Sequence, residues 1–217
     1  RNFSNISVEG NEICASSGAL LSQIAAAARN ASLTDFEYAG GIPGTLGGAV
    51  FMNAGAYGGE LKDVLKEAVV MTEQGEILTL PVEKLDMGYR TSRIKKAGYL
   101  VLEARLVLEQ GDMDKIRDIT KDLTEKRVSK QPLEYPSAGS TFKRPEGYFA
   151  GKLIMDAGLR GYQVGDAQVS EKHCGFVINK GNATAADVLT LIENVREKVQ
   201  EQFGVTLEPE VKFLGEF

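Results

Sequence analysis

Glycine dominates one stretch of the sequence, residues 41–60, which reads GIPGTLGGAVFMNAGAYGGE and holds seven glycines. Glycine leaves the backbone bare, so its N–H groups can surround a phosphate or lie against a flat ring. The spacing lacks the lysine of a P-loop and is not the fingerprint of a dinucleotide-binding fold. A tight turn that packs two strands together would account for the same composition. Both interpretations stay open on this stretch alone.

Three side chains elsewhere have types that could act on a small anionic substrate. Arg90, in MGYRTSR, can hold a carboxylate through two parallel hydrogen bonds. Ser140, in SAGSTFKRP, and Glu210, in LEPEVKFLG, could supply a hydroxyl and a carboxyl group. Each has a common structural alternative: a surface salt bridge for the arginine, a turn for the serine and a solvated strand end for the glutamate.

The remaining composition excludes several classes of site. The sequence has one histidine, His173, and two distant cysteines, so we expect no metal site, disulfide framework or Ser-His-Asp triad. The net charge of −5 over 217 residues argues against nucleic acid as a partner. Because the sequence has no signal-peptide pattern and no apolar run of about 18 residues, we expect a cytoplasmic protein that does not enter a membrane.

Strands and helices alternate along the first part of the sequence. Alternating apolar residues predict two hairpins, one turning at Gly10 and one at Gly75. Helical spacing predicts helices over residues 19–30 and 112–130. A further strand is predicted over residues 99–109, and the segment before this strand is expected to be a turn region.

A break in composition divides the chain. The stretch KQPLEYPSAGSTFKRPEG holds three prolines and interrupts the regular patterns on either side. We therefore predict domains at residues 1–130 and 131–217. Short strands and helices occur in both parts, which makes the predicted fold class α+β.

The second domain is predicted to contain two helices and two strands. The first helix is expected to end at Gly161, and strands are expected over residues 174–179 and 205–215. The clearest helix of the sequence follows Thr184, which can form a capping box with the aspartate at the third helical position, and ends at Gly204.

Four separated stretches resemble the UDP-N-acetylenolpyruvoylglucosamine reductase (MurB) family of bacterial flavoenzymes. They are the glycine-rich stretch, MGYRTSR, SAGSTFKRP and LEPEVKFLG, in the family's order, and the resemblance covers essentially the whole chain. It implies a partial FAD-binding domain of the PCMH/MurB type, followed by a smaller α+β substrate-binding domain. No extra tyrosine-bearing insertion lies between YLVLEARL, which ends at residue 106, and the KQP break at residue 130, and in this the chain is similar to the shorter type of the family.

The resemblance implies a reductase of peptidoglycan precursor synthesis. NADPH would reduce FAD, and a hydride would pass from reduced FAD to UDP-N-acetylglucosamine enolpyruvate, giving UDP-N-acetylmuramate. In this family pattern Arg90 and Glu210 polarise the enolpyruvyl carboxylate, and Ser140 protonates the substrate carbon beside it. We expect the protein to be a monomer.

The resemblance also implies two sets of binding residues. Flavin contacts are expected at Ile42, Pro43, Gly44, Gly48 and Gly55. Substrate-side positions are expected at Tyr57, Tyr89, Arg127, Lys130, Lys143, Arg160 and His173, three of which are cations suited to a diphosphate: Arg127, Lys130 and Arg160. Arg127 and Lys130 could equally form a solvated helix end, and His173 could be a partly buried structural residue.

The sequence departs from the family pattern at two places. Arg144 stands where many members have asparagine. The family begins with a segment that bears a second glycine-rich loop, roughly GxGSN, and this sequence, which starts at Arg1, contains none. The chain is therefore expected to be a fragment without one wall of the flavin site, and a redox-inactive fragment that binds the UDP-sugar is an alternative function. The motifs SAGSTFKRP and LEPEVKFLG disfavour a different FAD oxidase of the wider fold family.

Overall fold

A computed structural model describes residues 3–216 of the chain. The contacts between residues group the chain into two compact units, Arg1–Arg127 and Val128–Phe217. The boundary falls inside one helix, Met113–Lys130. Over the described residues, none of the helices combines the length and the apolar character needed to cross a membrane.

The first unit is built on one antiparallel sheet with helices around it. In chain order its elements are β1 (Ile6–Glu9), β2 (Glu12–Ser16), α1 (Leu21–Asn30), β3 (Leu33–Thr34), α2 (Leu46–Met52), β4 (Gly55–Ala56), β5 (Gly59–Glu60), β6 (Leu65–Met71), β7 (Ile77–Pro81), α3 (Arg93–Ala97), β8 (Leu100–Val107), β9 (Glu109–Gln110) and α4 (Met113–Lys130). Single turns of 3₁₀ helix lie at Glu37–Gly41, Leu61–Asp63 and Val82–Lys84. The sheet has the strand order β1-β2-β8-β6-β7.

Small buried residues line the middle of this sheet. Ala15 on β2, Ala104 on β8 and Ala68 on β6 lie opposite one another across the three strands, and all three are buried. Helix α2 packs against β8, with Ala49 and Val50 buried. Because alanine projects little above the sheet, this row lets α2 and its preceding glycine-rich loop lie close to the strands.

Most of the predicted elements of the first unit are confirmed. The two hairpins form, with Gly10 at φ +63° and Gly75 at φ +83°, backbone angles that glycine adopts at little cost. Helices α1 and α4, and strand β8, lie within the ranges predicted for them. The expected turn region before β8 is partly wrong, because it contains the short helix α3, which ends at Gly98 in a left-handed conformation.

The second unit has its own antiparallel sheet and two helices. In chain order its elements are β10 (Ser137–Ser140), α5 (Ala150–Asp156), β11 (Gln163–Val164), β12 (Ala167–Val169), β13 (Phe176–Asn179) and α6 (Ala185–Phe203). The strand order is β10-β13-β12-β11. Helix α6 packs on β11, β12 and α5, and it buries Leu191, Ile192, Val195 and Val199.

Helix α6 has both of its predicted ends. The N–H group of Asp187 donates to the Thr184 hydroxyl at 3.1 Å, and the Thr184 N–H donates back to the Asp187 carboxylate at 2.8 Å. These two bonds satisfy donors that the first helical turn leaves unpaired. At the other end Gly204 adopts φ +67°, and its N–H donates to the carbonyl of Gln200.

Two predictions for the second unit are wrong. Helix α5 ends at Asp156, well before Gly161, because the chain turns at Gly158 with φ +75°. Over the described part of residues 205–215 no strand forms, although Phe142 and Pro209 make an isolated antiparallel bridge. Among the described residues the pairing is limited to the two backbone hydrogen bonds that flank this bridge, from Lys143 to Glu208 and from Glu210 to Thr141, which is too short for a strand.

Candidate active site

Backbone hydrogen bonds fix the first half of the glycine-rich stretch to the connection between β2 and α1. The N–H of Leu21 donates to the Gly44 carbonyl at 3.1 Å, and the N–H of Gly47 donates to the Ser17 carbonyl at 2.8 Å. A Cβ atom at Gly47 would lie 3.0 Å from the Ser17 Cβ, which is closer than side-chain carbons normally approach. Gly47 therefore allows this close packing, and a side chain there would require the Ser17 segment to shift by a few tenths of an ångström.

Two other glycines of this stretch border open space. A Cβ atom at Gly44 would meet nothing within 4 Å, and one at Gly48 would have its nearest neighbour, the Thr45 hydroxyl, at 3.9 Å. Gly44, Gly48 and Pro43 are exposed, and we call these three residues the glycine face. Packing inside the unit does not explain glycine at Gly44 and Gly48. A flat ring could lie directly against the bare backbone of this face.

Arg90 lies against the second half of the glycine-rich stretch. Its Nη2 donates to the Gly55 carbonyl at 3.1 Å, and its guanidinium carbon lies 5.0 Å from the centre of the Tyr89 ring. Arg90 has φ +55°, in a turn whose ends, Gly88 and Thr91, exchange backbone hydrogen bonds of 3.1 and 3.3 Å. We call residues 88–91 the Arg90 turn. The structure thus brings together Arg90, Tyr89 and Gly55, three residues that the sequence marks as candidates.

Asn53 connects the Arg90 turn to the glycine-rich stretch. Its side chain is fully buried, and its Nδ2 donates to the Gly88 carbonyl at 3.1 Å and to the Glu60 carboxylate at 3.2 Å. Its Oδ1 accepts from the N–H of Lys62 at 3.0 Å. Asn53 is not among the residues that the sequence marks as candidates, although asparagine inside a glycine cluster is a known signal for a left-handed residue, and Asn53 has φ +45°.

Charges of both signs lie beside Arg90. Lys62 approaches the Glu60 carboxylate at 2.7 Å. The hydrogen bond and charge of Lys62, with smaller contributions from the Asn53 amide and the Arg90 charge, hold the pKa of Glu60 below its ordinary value. Glu60 therefore carries a negative charge near neutral pH.

Tyr57 and Arg127 form a second pair at the tip of the stretch. Tyr57 is 45% exposed and has φ +53°, and the Arg127 guanidinium carbon lies 5.6 Å from the centre of its ring. The same guanidinium packs over Gly41, where a Cβ atom would lie 2.2 Å from the Arg127 Nη1. Arg127 is therefore partly enclosed between a bare glycine and an aromatic ring in the first unit.

In the second unit Thr141 brings Ser140 and Glu210 into neighbouring segments. The carbonyl of Thr141 accepts from the Glu210 N–H at 2.8 Å, and the Thr141 N–H donates to the Gly175 carbonyl at 2.8 Å. The buried Thr141 hydroxyl accepts from the Val177 N–H at 3.0 Å. Ser140, the next residue along the chain, is exposed at the end of β10. The motifs that carry Ser140 and Glu210 therefore lie side by side.

The remaining candidates of the second unit have individual partners. Lys143 forms an ion pair with Glu208, and its backbone N–H donates to the Glu208 carbonyl at 2.9 Å. Arg160 donates to the carbonyl of Glu171 at 2.6 Å, while Lys130 is exposed at the end of α4. Among residues 3–216 we find no cluster of three or more histidine, cysteine or carboxylate side chains that could hold a metal ion.

His173 is partly enclosed by its own turn. Its Nδ1 accepts from the Gly175 N–H at 3.1 Å, and its ring meets the Phe176 ring edge to face at 5.0 Å. Burial lowers the pKa of His173 from its ordinary value of 6.5, and the charge of Lys130 lowers it further. The imidazole is therefore neutral at neutral pH, with Nδ1 as an acceptor.

Comparison with known proteins identifies both parts of the chain. Residues 1–81 match the model of an FAD binding domain, and residues 131–214 match the model of the UDP-N-acetylenolpyruvoylglucosamine reductase C-terminal domain. The fold is similar to the crystal structure of UDP-N-acetylenolpyruvylglucosamine reductase (MurB) from Thermus caldophilus, with a TM-score of 0.84 and 36% sequence identity. That match covers 96% of this chain and 74% of the other.

Curated relatives carry the same reductase name. The chain is 65% identical to the UDP-N-acetylenolpyruvoylglucosamine reductase of Agathobacter rectalis over 94% of its own length and 65% of the relative's. It is 60% identical to that of Clostridium botulinum (strain Eklund 17B / Type B), over 99% of its own length and 70% of the relative's. The chain thus spans about two thirds of the length of these relatives.

The α+β fold, the glycine face and the matched domains define an FAD-binding protein. The bare backbone at Gly44 and Gly48 fits such a cofactor, because, apart from the local backbone, no atom of the described residues comes closer than 3.9 Å to a Cβ position at either glycine. Within that class, the chain belongs to the UDP-N-acetylenolpyruvoylglucosamine reductase (MurB) family.

Proposed function

We propose that this protein takes part in the NADPH-driven reduction of UDP-N-acetylglucosamine enolpyruvate to UDP-N-acetylmuramate, a step of peptidoglycan precursor synthesis. One observation supports the proposal most strongly. Arg90, a cation suited to a carboxylate, donates to the Gly55 carbonyl of the same stretch that carries the glycine face. A cytoplasmic location and a monomeric state stay predictions.

The cofactor contacts that we propose lie along one short stretch. Ile42, Pro43, Gly44, Gly48 and Gly55 would hold the flavin, with the glycines giving it access to bare backbone. Held by these residues, FAD would supply the hydride chemistry of the reduction, with NADPH as the reductant. The protein's part is to orient the substrate, to stabilise charge and to deliver a proton.

Arg90 would bind the enolpyruvyl carboxylate of the substrate. Negative charge builds up on this group when a hydride adds to the neighbouring double bond, so a fixed guanidinium stabilises the transition state more than the ground state. Its contact with Gly55 and its position beside the Tyr89 ring restrict where the guanidinium can lie. This restriction lowers the reorganisation needed during the reaction.

Ser140 would protonate the substrate carbon next to the one that receives the hydride. A serine hydroxyl is a weak acid, so its position has to be fixed relative to that carbon. Thr141 provides this support, because its three hydrogen bonds connect Ser140 to β13 and to the segment of Glu210. Glu210 would act on the carboxylate side of the substrate.

Seven further residues are proposed to contact the substrate or its diphosphate. They lie on exposed or partly exposed positions of the two units and comprise Tyr57, Tyr89, Arg127, Lys130, Lys143, Arg160 and His173. Four of them carry a positive charge, which suits the two negative charges of a diphosphate.

The proposed reaction is tested by following NADPH oxidation in the FAD-loaded enzyme. We expect oxidation only when the enolpyruvyl UDP-sugar is present. Ser140→Ala is expected to slow turnover by about 100-fold, since positioned acid catalysis contributes about 10²–10⁴-fold. Turnover at the wild-type rate in this variant would remove Ser140 from the mechanism.

The role of the glycine face is tested by measuring FAD affinity and stability together. Gly44→Ala should leave the free energy of unfolding unchanged or raise it by about 0.5 kcal/mol, because the new methyl group meets nothing and alanine restricts the unfolded chain. It should weaken FAD binding by about 10-fold or more.

A matched control is Gly75→Ala in the β6–β7 hairpin. Gly75 has φ +83°, so alanine there should lower stability by about 1 kcal/mol without changing FAD affinity. Equal FAD affinity in the two variants would show that the glycine face does not contact the flavin.

A further inference from the structure

Asn53 is a fully buried polar side chain with three hydrogen-bond partners in two separate segments of the chain. Its amide reaches the Gly88 carbonyl at 3.1 Å, the Glu60 carboxylate at 3.2 Å and the Lys62 N–H at 3.0 Å. A buried amide with these bonds has one stable orientation, because any rotation would leave donors unpaired away from water. Asn53 is therefore a fixed point between the glycine-rich stretch and the Arg90 turn.

Besides the bond from Arg90 to the Gly55 carbonyl, two side-chain hydrogen bonds attach the Arg90 turn and the residue that follows it to this stretch. One is the bond from Asn53 to the carbonyl of Gly88, two residues before Arg90. The other follows Arg90, where the buried Ser92 hydroxyl donates to the Phe51 carbonyl at 2.8 Å. Between the two attachments Arg90 has φ +55°, a conformation that L-residues adopt only when their surroundings impose it.

The same amide holds the carboxylate of Glu60, a negative charge that lies in the field of Arg90. Glu60 accepts from Asn53 and Lys62 through one carboxylate oxygen, Oε2. Without the Asn53 bond, this carboxylate would gain freedom to move in the field of the Arg90 cation. Asn53 thus acts on the position of the backbone that carries Arg90 and on the charge beside it.

We propose that Asn53 is a positioning residue that holds the Arg90 guanidinium where the substrate carboxylate binds. This role of Asn53 rests on the proposed role of Arg90. Asn53 itself is not among the residues proposed to contact the flavin or the substrate. The positioning role predicts that a change at Asn53 affects the step in which the substrate is reduced, and not the step in which NADPH reduces the flavin.

The test uses Asn53→Asp in the FAD-loaded enzyme and separates the two half-reactions by rapid mixing. Aspartate keeps the size of asparagine and tolerates a left-handed backbone, but it loses the Nδ2 donor and places a carboxylate next to Glu60. We expect flavin reduction by NADPH to stay within about twofold of wild type. Reoxidation by the enolpyruvyl UDP-sugar should slow by about 10-fold, a change that corresponds to about 1.4 kcal/mol.

A matched control is Asn11→Asp. The Asn11 amide also donates to a backbone carbonyl at 3.1 Å, that of Leu108, but its bond lies at the β1–β2 turn. This variant loses the same kind of bond, so both half-reactions should keep their wild-type rates. Slowing of both half-reactions by the same factor in Asn53→Asp would indicate a general structural effect and would overturn the inference.

A double-mutant cycle with Arg90→Ala distinguishes the inference from the function on which it rests. We expect Arg90→Ala to slow reoxidation by about 100-fold, and Asn53→Asp to add less than about twofold in that background. If Arg90→Ala has no effect, the proposed role of Arg90 fails. If Arg90→Ala slows the step and Asn53→Asp still adds its full 10-fold, Asn53 acts independently of Arg90 and only the positioning role fails.

Ser92→Ala gives a second test that introduces no charge. It removes the other attachment of the Arg90 turn and should produce the same selective slowing of reoxidation. Wild-type reoxidation in both Ser92→Ala and Asn53→Asp would show that the Arg90 turn needs neither attachment.

Discussion

At two glycines of the first unit an added Cβ atom would come comparably close to a neighbouring side chain, yet alanine should cost little stability at one and much at the other. At Gly41 a Cβ atom would lie 2.2 Å from Nη1 of Arg127, and at Gly59 it would lie 2.5 Å from Cδ1 of Tyr38. Neither glycine has a positive φ, so alanine suits both backbones. The outcome therefore depends on whether the neighbouring group can move.

The Arg127 guanidinium is the end of a flexible side chain and can swing away. This movement breaks the contact between the guanidinium and the Tyr57 ring, which is worth about 0.5–1 kcal/mol at an exposed site. Replacing glycine by alanine stabilises the folded protein by about 0.4–1 kcal/mol, because alanine restricts the unfolded chain. The two terms nearly cancel, so Gly41→Ala should change the free energy of unfolding by less than about 0.5 kcal/mol.

The Tyr38 ring has no such freedom. It is 8% exposed, and the Phe36 ring packs against it edge to face with 5.7 Å between ring centres. A methyl group forced against it must displace the ring or the backbone, which costs about 1–3 kcal/mol. We expect a cost near the upper end of this range, about 3 kcal/mol, because Cγ and Cε1 of the same ring also lie 2.9 Å from the added Cβ atom.

The assay is urea or thermal unfolding of the two variants, followed by circular dichroism. A loss of about 3 kcal/mol in Gly59→Ala should lower Tm by about 6–12 °C, while Gly41→Ala should shift it by less than about 2 °C. In an Arg127→Ala background, Gly41→Ala should become stabilising, since there is no guanidinium left to displace. Equal losses of stability in Gly41→Ala and Gly59→Ala would refute the reasoning that neighbour mobility decides the cost.

Three further predictions concern the second unit. Thr141→Val should lower stability by about 1–3 kcal/mol because the Val177 N–H loses its acceptor, and Thr141→Ser should recover most of this in urea unfolding. His173 has a lowered pKa when folded, so stability should be full above pH 6.5 and should fall as pH drops from 6.5 through the folded pKa. His173→Asn, measured across pH 5–7.5, should lack this part of the pH dependence; an unchanged slope would contradict the assignment. Thr184→Ala removes the N-cap of α6 and should cost about 1 kcal/mol in thermal unfolding, whereas no change would mean that the capping box contributes nothing.

Local sequence patterns predicted correctly the elements that are defined by interactions between residues close together in the chain. The hairpin at Gly10 is set by alternating apolar residues and a glycine turn, and both are visible in the sequence. The ends of α6 follow from Thr184 and Gly204, whose capping bonds span only three or four residues. These elements could be predicted because short-range hydrogen bonds define them.

The end of the chain shows why alternation alone can fail. Val205, Leu207 and Val211 alternate with polar residues as in a strand, and Leu207 is fully buried. A strand also needs continuous backbone pairing with a partner, and among the described residues the pairing here is limited to the two hydrogen bonds that flank the Phe142–Pro209 bridge. The pattern reports burial correctly but does not establish a ladder.

The site was predictable only in part, for a related reason. Arg90, Ser140 and Glu210 stand out because their motifs are recognisable and their side chains have useful chemistry. Asn53 and Thr141 do not stand out, since their importance comes from bonds to Gly88 and Val177, each about 35 residues away along the chain. Such supporting residues become visible only when the fold shows which segments meet.

Two residues with left-handed backbone angles, Tyr57 and Arg90, lower the stability of the fold. Tyr57 and Arg90 hold φ values of +53° and +55°, and each such residue costs about 1–3 kcal/mol relative to a relaxed backbone. A sequence chosen for stability alone would place glycine at both positions, as it does at Gly58 with φ +93°. The chain instead keeps a phenol and a guanidinium there. It gives up stability at the positions where the proposed chemistry needs a side chain, and thermostabilising designs of this protein should leave those two positions untouched.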